Sequence, residues 1–490
     1  MYEWNRLPWK KIEMQVFKLQ KRIYQASKRS DKEMVHRLQK LLLKSQYAKF
    51  LAVRKVAQKN KGKHTAGIDG VKSLTPKQRL KLALKLELPK ETQPARRIWI
   101  PKPGNKSEKR PLSIPTMRNR AEQALLKLVI EPEWEAKFEA NSYGFRPGRS
   151  TWDAIEAIFK MICSKPKYVL DADIAKCFDG INHEVLLDKL QTLPSIRRAV
   201  KAFLKAGFMD GGKLFPTTEG AAQGSIISPL LANIALHGFE TFIRDSFPDF
   251  YKGNQKWKPY IARYADDFVI LHPELSVIKP TKKLAQEWLF TLGLELKDTK
   301  TRISHSLNEH ENNCGFDFLG FHVRQFPVGK THSGKLHRPG RKSTLLGFKT
   351  IIKPSKEASL RHSKAIRDKI SRLKNAPQVA LIAQLNPIIR GWCNYYSAAC
   401  STDTFAKMKD ILYHKLMYWA KRRHSNKPVK WVVRKYWRLE NGTWDFAVKD
   451  GIRLKVHTEV PIKRHIKVRG TKSPFDGDQK YWGKRGARLY

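Results

Sequence analysis

Acidic residues are scarce. Against 96 Lys and Arg stand only 44 Asp and Glu, a formal +52 over 490 residues with 15 His uncounted. Such an excess repels itself unless a polyanion neutralises it, which puts nucleic acid first among partners. Cysteine is scarcer still: Cys163, Cys177, Cys314, Cys393 and Cys400 are odd in number, scattered and free of any CxxC pair. That excludes a disulfide framework and a Cys-rich zinc site and points to a reducing cytosol. Long apolar runs are lacking too. The longest, near 225–236, holds Pro229 and Asn233 and falls short of the roughly 18 residues that cross a bilayer. The opening MYEWNRLPWKK has no apolar region or small-residue cleavage site, so no targeting peptide is expected. No solenoid repeat or low-complexity segment is evident. What remains is a chain with 41% apolar and 10% aromatic residues, enough to bury cores in about two to four domains.

The charge is unevenly spread. Residues 1–64 carry +14, 65–323 carry +9 and 324–490 carry +29. The middle is therefore read as the globular engine and both ends as modules that grip a polyanion. Near the start, Ile12, Val16, Leu19 and Ile23 recur at helical spacing, followed by Val35, Leu38, Leu42, Tyr47 and Phe50. The stretch HTAGIDG (64–70) breaks helicity, and Thr75-Pro76 opens a new helix with a cap and Pro at its first position. Far downstream, Phe405, Met408, Leu412, Leu416 and Trp419 form an apolar stripe read as core. Ile366, Ile370 and Leu373 mark a preceding helix, and YWRLENGTWDFAV alternates around Asn441-Gly442 as a hairpin.

The chemistry concentrates in the middle. Two β-prone runs, 260–264 and 268–271, flank Asp266-Asp267 and set the pair in a hairpin turn. Adjacent carboxylates there repel unless a cation neutralises them. Asp-rich turns are also commonly just solvated, and the pair alone leaves both readings open. A second strand, 168–174, puts Val169, Asp171 and Asp173 on one face and leads into a helix capped by Asn182. Carboxylates from separate strands are what a two-metal phosphoryl-transfer site needs.

In order along the chain, RRIWIPKPGNKSEKRPLSIPT (96–116), NSYGFRPGRSTWDAI (141–155), VLDADIAKCFDGINH (169–183) and AAQGSIISPLLANIAL (221–236) resemble reverse transcriptases encoded by group II introns. So do ARYADDFVIL (262–271), GLELKDTKTRI (293–303) and FDFLGFHV (316–323), while IRGWCNYYS (389–397) resembles the maturase domain X. SPFDGDQKYW (473–482) resembles the segment that precedes an endonuclease domain. With no CxxC in the chain, second-strand cleavage is not expected.

The resemblance implies an α+β right-hand polymerase: a basic helical extension (1–64), fingers and palm with an antiparallel sheet (65–323), an α-helical thumb or domain X (324–430) and a basic DNA-binding tail (431–490). It makes Asp173, Asp266 and Asp267 the ligands of two Mg2+ ions, or Mn2+ as a substitute, with the Ile174 carbonyl as a further oxygen. Phe178 falls under the incoming sugar, with a plain core Phe as the alternative. Gln223-Gly224 meets nucleotide and template, and Lys102 and Arg110 meet the triphosphate. Lys300 is set to protonate pyrophosphate or is a surface Lys. Arg146 meets template or backbone phosphate, Tyr264 adjoins the primer and template, and Leu319-Gly320 forms a primer grip. Trp392, Tyr395 and Tyr396 are stacking or core residues, with core favoured. The partners implied are intron RNA, a target DNA primer and dNTPs, with no membrane, in a bacterial cytoplasm. The rival readings are a non-catalytic splicing cofactor and a reverse transcriptase of a defence or mutagenesis system.

Overall fold

A computed structural model describes residues 3–102, 105–251, 255–336, 342–440 and 442–486, apart from the side chains of 102, 105–107, 251, 255–256 and 440. The chain forms two compact units. The first gathers 1–154, 170–302 and 468–490, and the second 155–169 and 303–467.

In the first unit, the helices Trp9–Lys28, Lys32–Lys44 and Gln46–Arg54 lay their apolar faces on the helix Met117–Lys137. Ile12, Val16 and Ile23 are buried at the contact, as the spacing predicts. A polar pair goes in with them: Gln39 Nε2 donates to Glu133 Oε2 at 2.7 Å. Thr75 caps Pro76–Leu84 with a reciprocal bond to Gln78, which fixes where that helix starts.

Two sheets follow. The strands Asn105–Ile114, Ala95–Lys102, Phe208–Asp210 and Lys213–Phe215 lie in that order. Here the expectation of an antiparallel fingers sheet needs correction, because Ala95–Lys102 runs parallel to Phe208–Asp210. The strand Phe208–Asp210 arrives more than a hundred residues later, beyond the reach of local pattern. The second sheet has the order Glu295–Leu296, Tyr168–Ala175, Asp267–His272, Tyr260–Tyr264. Its last two strands pair antiparallel with Tyr264 opposite Asp267.

The second unit has a three-stranded antiparallel sheet of Phe316–Phe318, Phe321–Pro327 and Phe348–Pro354, then the helices Lys356–Arg372, Gln378–Tyr396 and Thr402–Arg423. All five residues of the 405–419 stripe are buried. The strands Trp437–Glu440 and Thr443–Phe446 pair around the expected turn, although Asn441 itself lies outside the described residues. Among the described residues no helix is long and apolar enough to cross a membrane.

Candidate active site

Two neighbouring strands bring the three carboxylates together. The Ile174 amide donates to the Asp266 carbonyl at 3.2 Å, and the Lys297 amide to the Asp173 carbonyl at 2.8 Å, so backbone bonds clamp the strand that carries Asp173 from both sides. The hairpin turns at Ala265, whose φ of +58° is a conformation rare outside glycine. Beneath it lies Arg263, only 3% exposed. Its guanidinium donates to the Ala265 carbonyl at 3.2 Å, Asn233 Oδ1 at 3.3 Å and Ser142 Oγ at 2.8 Å, which holds the strained turn in place.

The electrostatics are unbalanced. Burial pushes the Asp267 carboxyl up to about 7, with the charges of Asp266 and Asp173 adding to it. Asp266 is raised chiefly by burial and further by Asp173, while Lys300 and Arg110 pull it back. Lys300 Nζ reaches Asp173 Oδ2 at 2.6 Å. Burial lowers the Lys300 ammonium, but the three carboxylates outweigh it and leave a net rise. Among the described residues no three His, Cys, Asp or Glu side chains already stand in metal-holding geometry. The donor set is nevertheless all hard oxygen with an excess of negative charge, which is the chemistry that Mg2+ selects.

Around the carboxylates the other expected residues take definite places. Phe178 is half-buried and meets the exposed ring of Phe145 edge-on at 6.2 Å; Phe145 also tilts against the half-buried Tyr264 at 6.5 Å. Gln223 Nε2 donates to Asp179 Oδ2 at 3.3 Å. Gly224 adopts φ +98°, and a Cβ there would lie 2.7 Å from the Ser113 carbonyl oxygen, so glycine is demanded by the protein's own backbone. Arg110 is exposed on the strand Asn105–Ile114. The side chain of Lys102 lies outside the described residues.

Arg146 requires a correction. It is 4% exposed, and its guanidinium forks onto Glu135 at 2.9 and 3.0 Å while also donating to the carbonyls of Glu139 and Ser142. Four of its five N–H donors are thus consumed inside the fold, and the residue buttresses the helix Met117–Lys137 rather than meeting phosphate. The residue the motif presents outward is its neighbour Phe145, 49% exposed at φ +58°. Sequence reading passed over Phe145, Asp179 and Arg263; the FRPGR run that contains Phe145 was the available signal.

Leu319 and Gly320 belong to the second unit. They form a two-residue left-handed turn, φ +51° and +80°, between Phe318 and Phe321. The Tyr395 hydroxyl donates to the Leu319 carbonyl at 2.9 Å and the Tyr396 hydroxyl to the Gly320 carbonyl at 3.2 Å. A Cβ on Gly320 would sit 2.8 Å from that Tyr396 oxygen. Trp392 stacks flat on His362 at 4.3 Å. The three aromatics are therefore packing residues, as favoured.

Comparison with known proteins agrees with this arrangement. The family described as reverse transcriptase (RNA-dependent DNA polymerase) matches residues 100–323, the N-terminal domain of reverse transcriptase matches 4–86, and the group II intron maturase-specific domain matches 360–437. Protein YkfC of Escherichia coli is 32% identical over 324 residues, covering 58% of this chain and 82% of that protein. Group II intron-encoded protein LtrA of Lactococcus lactis is 28% identical over 386 residues, covering 63% of this chain and 61% of LtrA. Maturase-like protein 1 of Euglena gracilis is 25% identical over 407 residues, covering 79% and 76%. With a reverse transcriptase match and, later in the sequence, a maturase-specific match, the chain belongs to the family of group II intron-encoded reverse transcriptases and maturases.

Proposed function

We propose that the protein is an RNA-directed DNA polymerase that copies intron RNA from a primer supplied by its DNA target, and that it also binds the parent intron to assist splicing. The observation that carries the catalytic half is the convergence of Asp173, Asp266 and Asp267 on adjoining strands, with the Asp266 and Asp267 carboxyls raised by burial and further by the neighbouring carboxylate charges. These three, with the Ile174 carbonyl, would hold two Mg2+ ions, or Mn2+ in their place, which supply charge neutralisation at the reacting phosphate and acidify the primer hydroxyl.

The chain's own groups do the rest. Asp173 holds the Lys300 ammonium ready as a proton donor to departing pyrophosphate. Phe178, backed by Phe145, sets a ring where a ribose 2′-hydroxyl would clash and so favours dNTPs. Arg110, whose charge is felt at Asp266, meets the triphosphate, as does Lys102. Gln223, tied to Asp179, faces nucleotide and template, and Tyr264 lines the primer side. Intron RNA is gripped by the basic 1–64 extension and the second-unit helices through shape and backbone contacts, and target DNA by the basic tail expected at 431–490, of which 431–467 lie in the second unit. The setting proposed is a bacterial cytoplasm.

The two halves separate in one experiment. Asp266→Ala with Asp267→Ala should abolish primer extension on an RNA template while cognate intron splicing at low Mg2+ continues. Extension that survives the double change would remove the metal assignment; wild-type protein that neither binds nor helps splice the intron would remove the maturase half.

A further inference from the structure

Residues 468–486 return to the first unit as a strap, and both of its ends land on one carboxylate. Asp153 has a side chain only 1% exposed. Its Oδ1 accepts the Val468 amide at 2.7 Å and Arg485 Nη2 at 2.8 Å, while Oδ2 accepts the Ser150 amide and hydroxyl. Arg149 ties the middle, donating to the Gly470 carbonyl at 2.9 Å and, on the other side, to Ala140 at 2.7 Å. Trp482 is fully buried against Gly148, where φ is +70° and a Cβ would lie 2.5 Å from the indole. Phe475 stacks on Phe17 at 6.4 Å.

The loop so gripped is the one that backs the carboxylate turn. The Tyr143 amide donates to the Arg263 carbonyl and the Arg263 amide to the Asn141 carbonyl, both at 2.9 Å. Gly144 approaches so closely that a Cβ would stand 2.5 Å from the Ala265 nitrogen. One residue on, Phe145 keeps its left-handed backbone while its ring meets Phe178. A bulky residue in that conformation persists only where its surroundings over-determine it. Arg146 supplies one fixed point, and the strap supplies the others.

We propose that the 468–486 strap is a positioning element for nucleotide addition: by fixing Gly148, Arg149 and Asp153 it holds the 141–150 loop against the Ala265 turn and Phe178. The inference rests on the polymerase reading of that turn. None of the strap's residues acts on substrate; they act through the loop.

The test uses the full chain with Trp482→Ala and with Trp482→Phe, at a temperature where circular dichroism shows each folded. Single-nucleotide addition to a DNA primer on an RNA template gives kcat and the dNTP KM, with the dNTP-over-rNTP preference and template–primer affinity measured alongside. Slack in a loop behind a reacting centre is expected to lower kcat/KM roughly 10-fold and to weaken the preference for dNTPs. Template–primer affinity should stay unchanged, and Trp482→Phe should recover most of the loss. An Ala variant with wild-type kcat/KM and preference overturns the proposal. Should Trp482→Ala not fold, Arg485→Ala, which removes one ion pair at the same joint, takes its place. About a threefold loss is expected there by the same argument, and wild-type kinetics would again overturn it. A wild-type chain that extends no primer sinks the polymerase reading and the strap's role with it. A wild-type chain that extends while folded variants match it sinks the strap alone.

Discussion

The turn at Ala265-Asp266 and the turn at Leu319-Gly320 each join two antiparallel strands through left-handed backbone, and they differ in how their polar groups are satisfied. At 319–320 both carbonyls have donors: Tyr395, Tyr396 and, for Gly320, also the Ser355 amide at 2.9 Å. At 265–266 the backbone is equally well held by Arg263, yet the side chains that follow are left in conflict, with Asp266 and Asp267 pushed up by burial and by neighbouring carboxylate charge, Asp173 on both and Asp266 on Asp267. A tight turn by itself says little about chemistry. The unmet charge at one of them does, because a fold keeps such repulsion only where something else answers it.

Removing the charge is the strongest way to break this comparison. Asp266→Asn with Asp267→Asn should cost primer extension about a thousandfold or more, the several kcal/mol a divalent-ion site contributes. The same pair should raise the thermal midpoint in chelator, since the repulsion is gone. A variant that loses activity without gaining stability would show that the turn is not frustrated.

Arg146→Ala probes a charge that is satisfied. Leaving Glu135 buried without its partner should destabilise the fold by about 3–5 kcal/mol in denaturant melts, with template affinity per folded molecule unchanged. Weaker template binding at full stability would return Arg146 to the phosphate role.

Gly320→Ala adds a methyl against the Tyr396 hydroxyl and strains φ +80°, at a cost of about 1–3 kcal/mol. Combining it with Tyr396→Phe relieves the collision and should recover part of that loss, which an independent pair of sites would not do.

The last effect is in pH. His362 and His457 face each other through Nε2 at 2.8 Å next to Trp392, and burial holds both rings below the ordinary histidine range, with His457 depressing His362 further. The unfolded chain binds the protons the folded one refuses. Stability is therefore present above about pH 6.5 and lost as pH falls below it. His362→Phe should flatten that acid limb; an unchanged limb would place its origin elsewhere.

Much of this was legible because the signals were local. The cap at Thr75, the Asn182 cap, the 405–419 stripe and the carboxylate hairpin each depend on residues within a turn or two of one another. The expected roles of Asp173, Asp266 and Asp267 required the two strands to be neighbours, and they are. What sequence concealed were long-range pairings. The inward turn of Arg146 depends on Glu135, eleven residues back near the end of a buried helix, and the glycine at 320 answers Tyr396, 76 residues on. The parallel strand at 208–210 and the strap at 468–486 likewise leave no periodic trace. A positive count over 431–490 could not reveal that Arg485 neutralises a buried aspartate.

That ion pair also sets a clock. Asp153 and Arg485 are 332 residues apart in the chain. A ribosome adding about 5–20 residues each second takes roughly twenty seconds to a minute to pass from one to the other. During that interval residues 303–467 emerge and can assemble as the second unit, while the first still lacks its fastening. The proposed polymerase centre would then be the last part of the molecule to mature, ready only after the segment proposed to grip intron RNA has already left the ribosome.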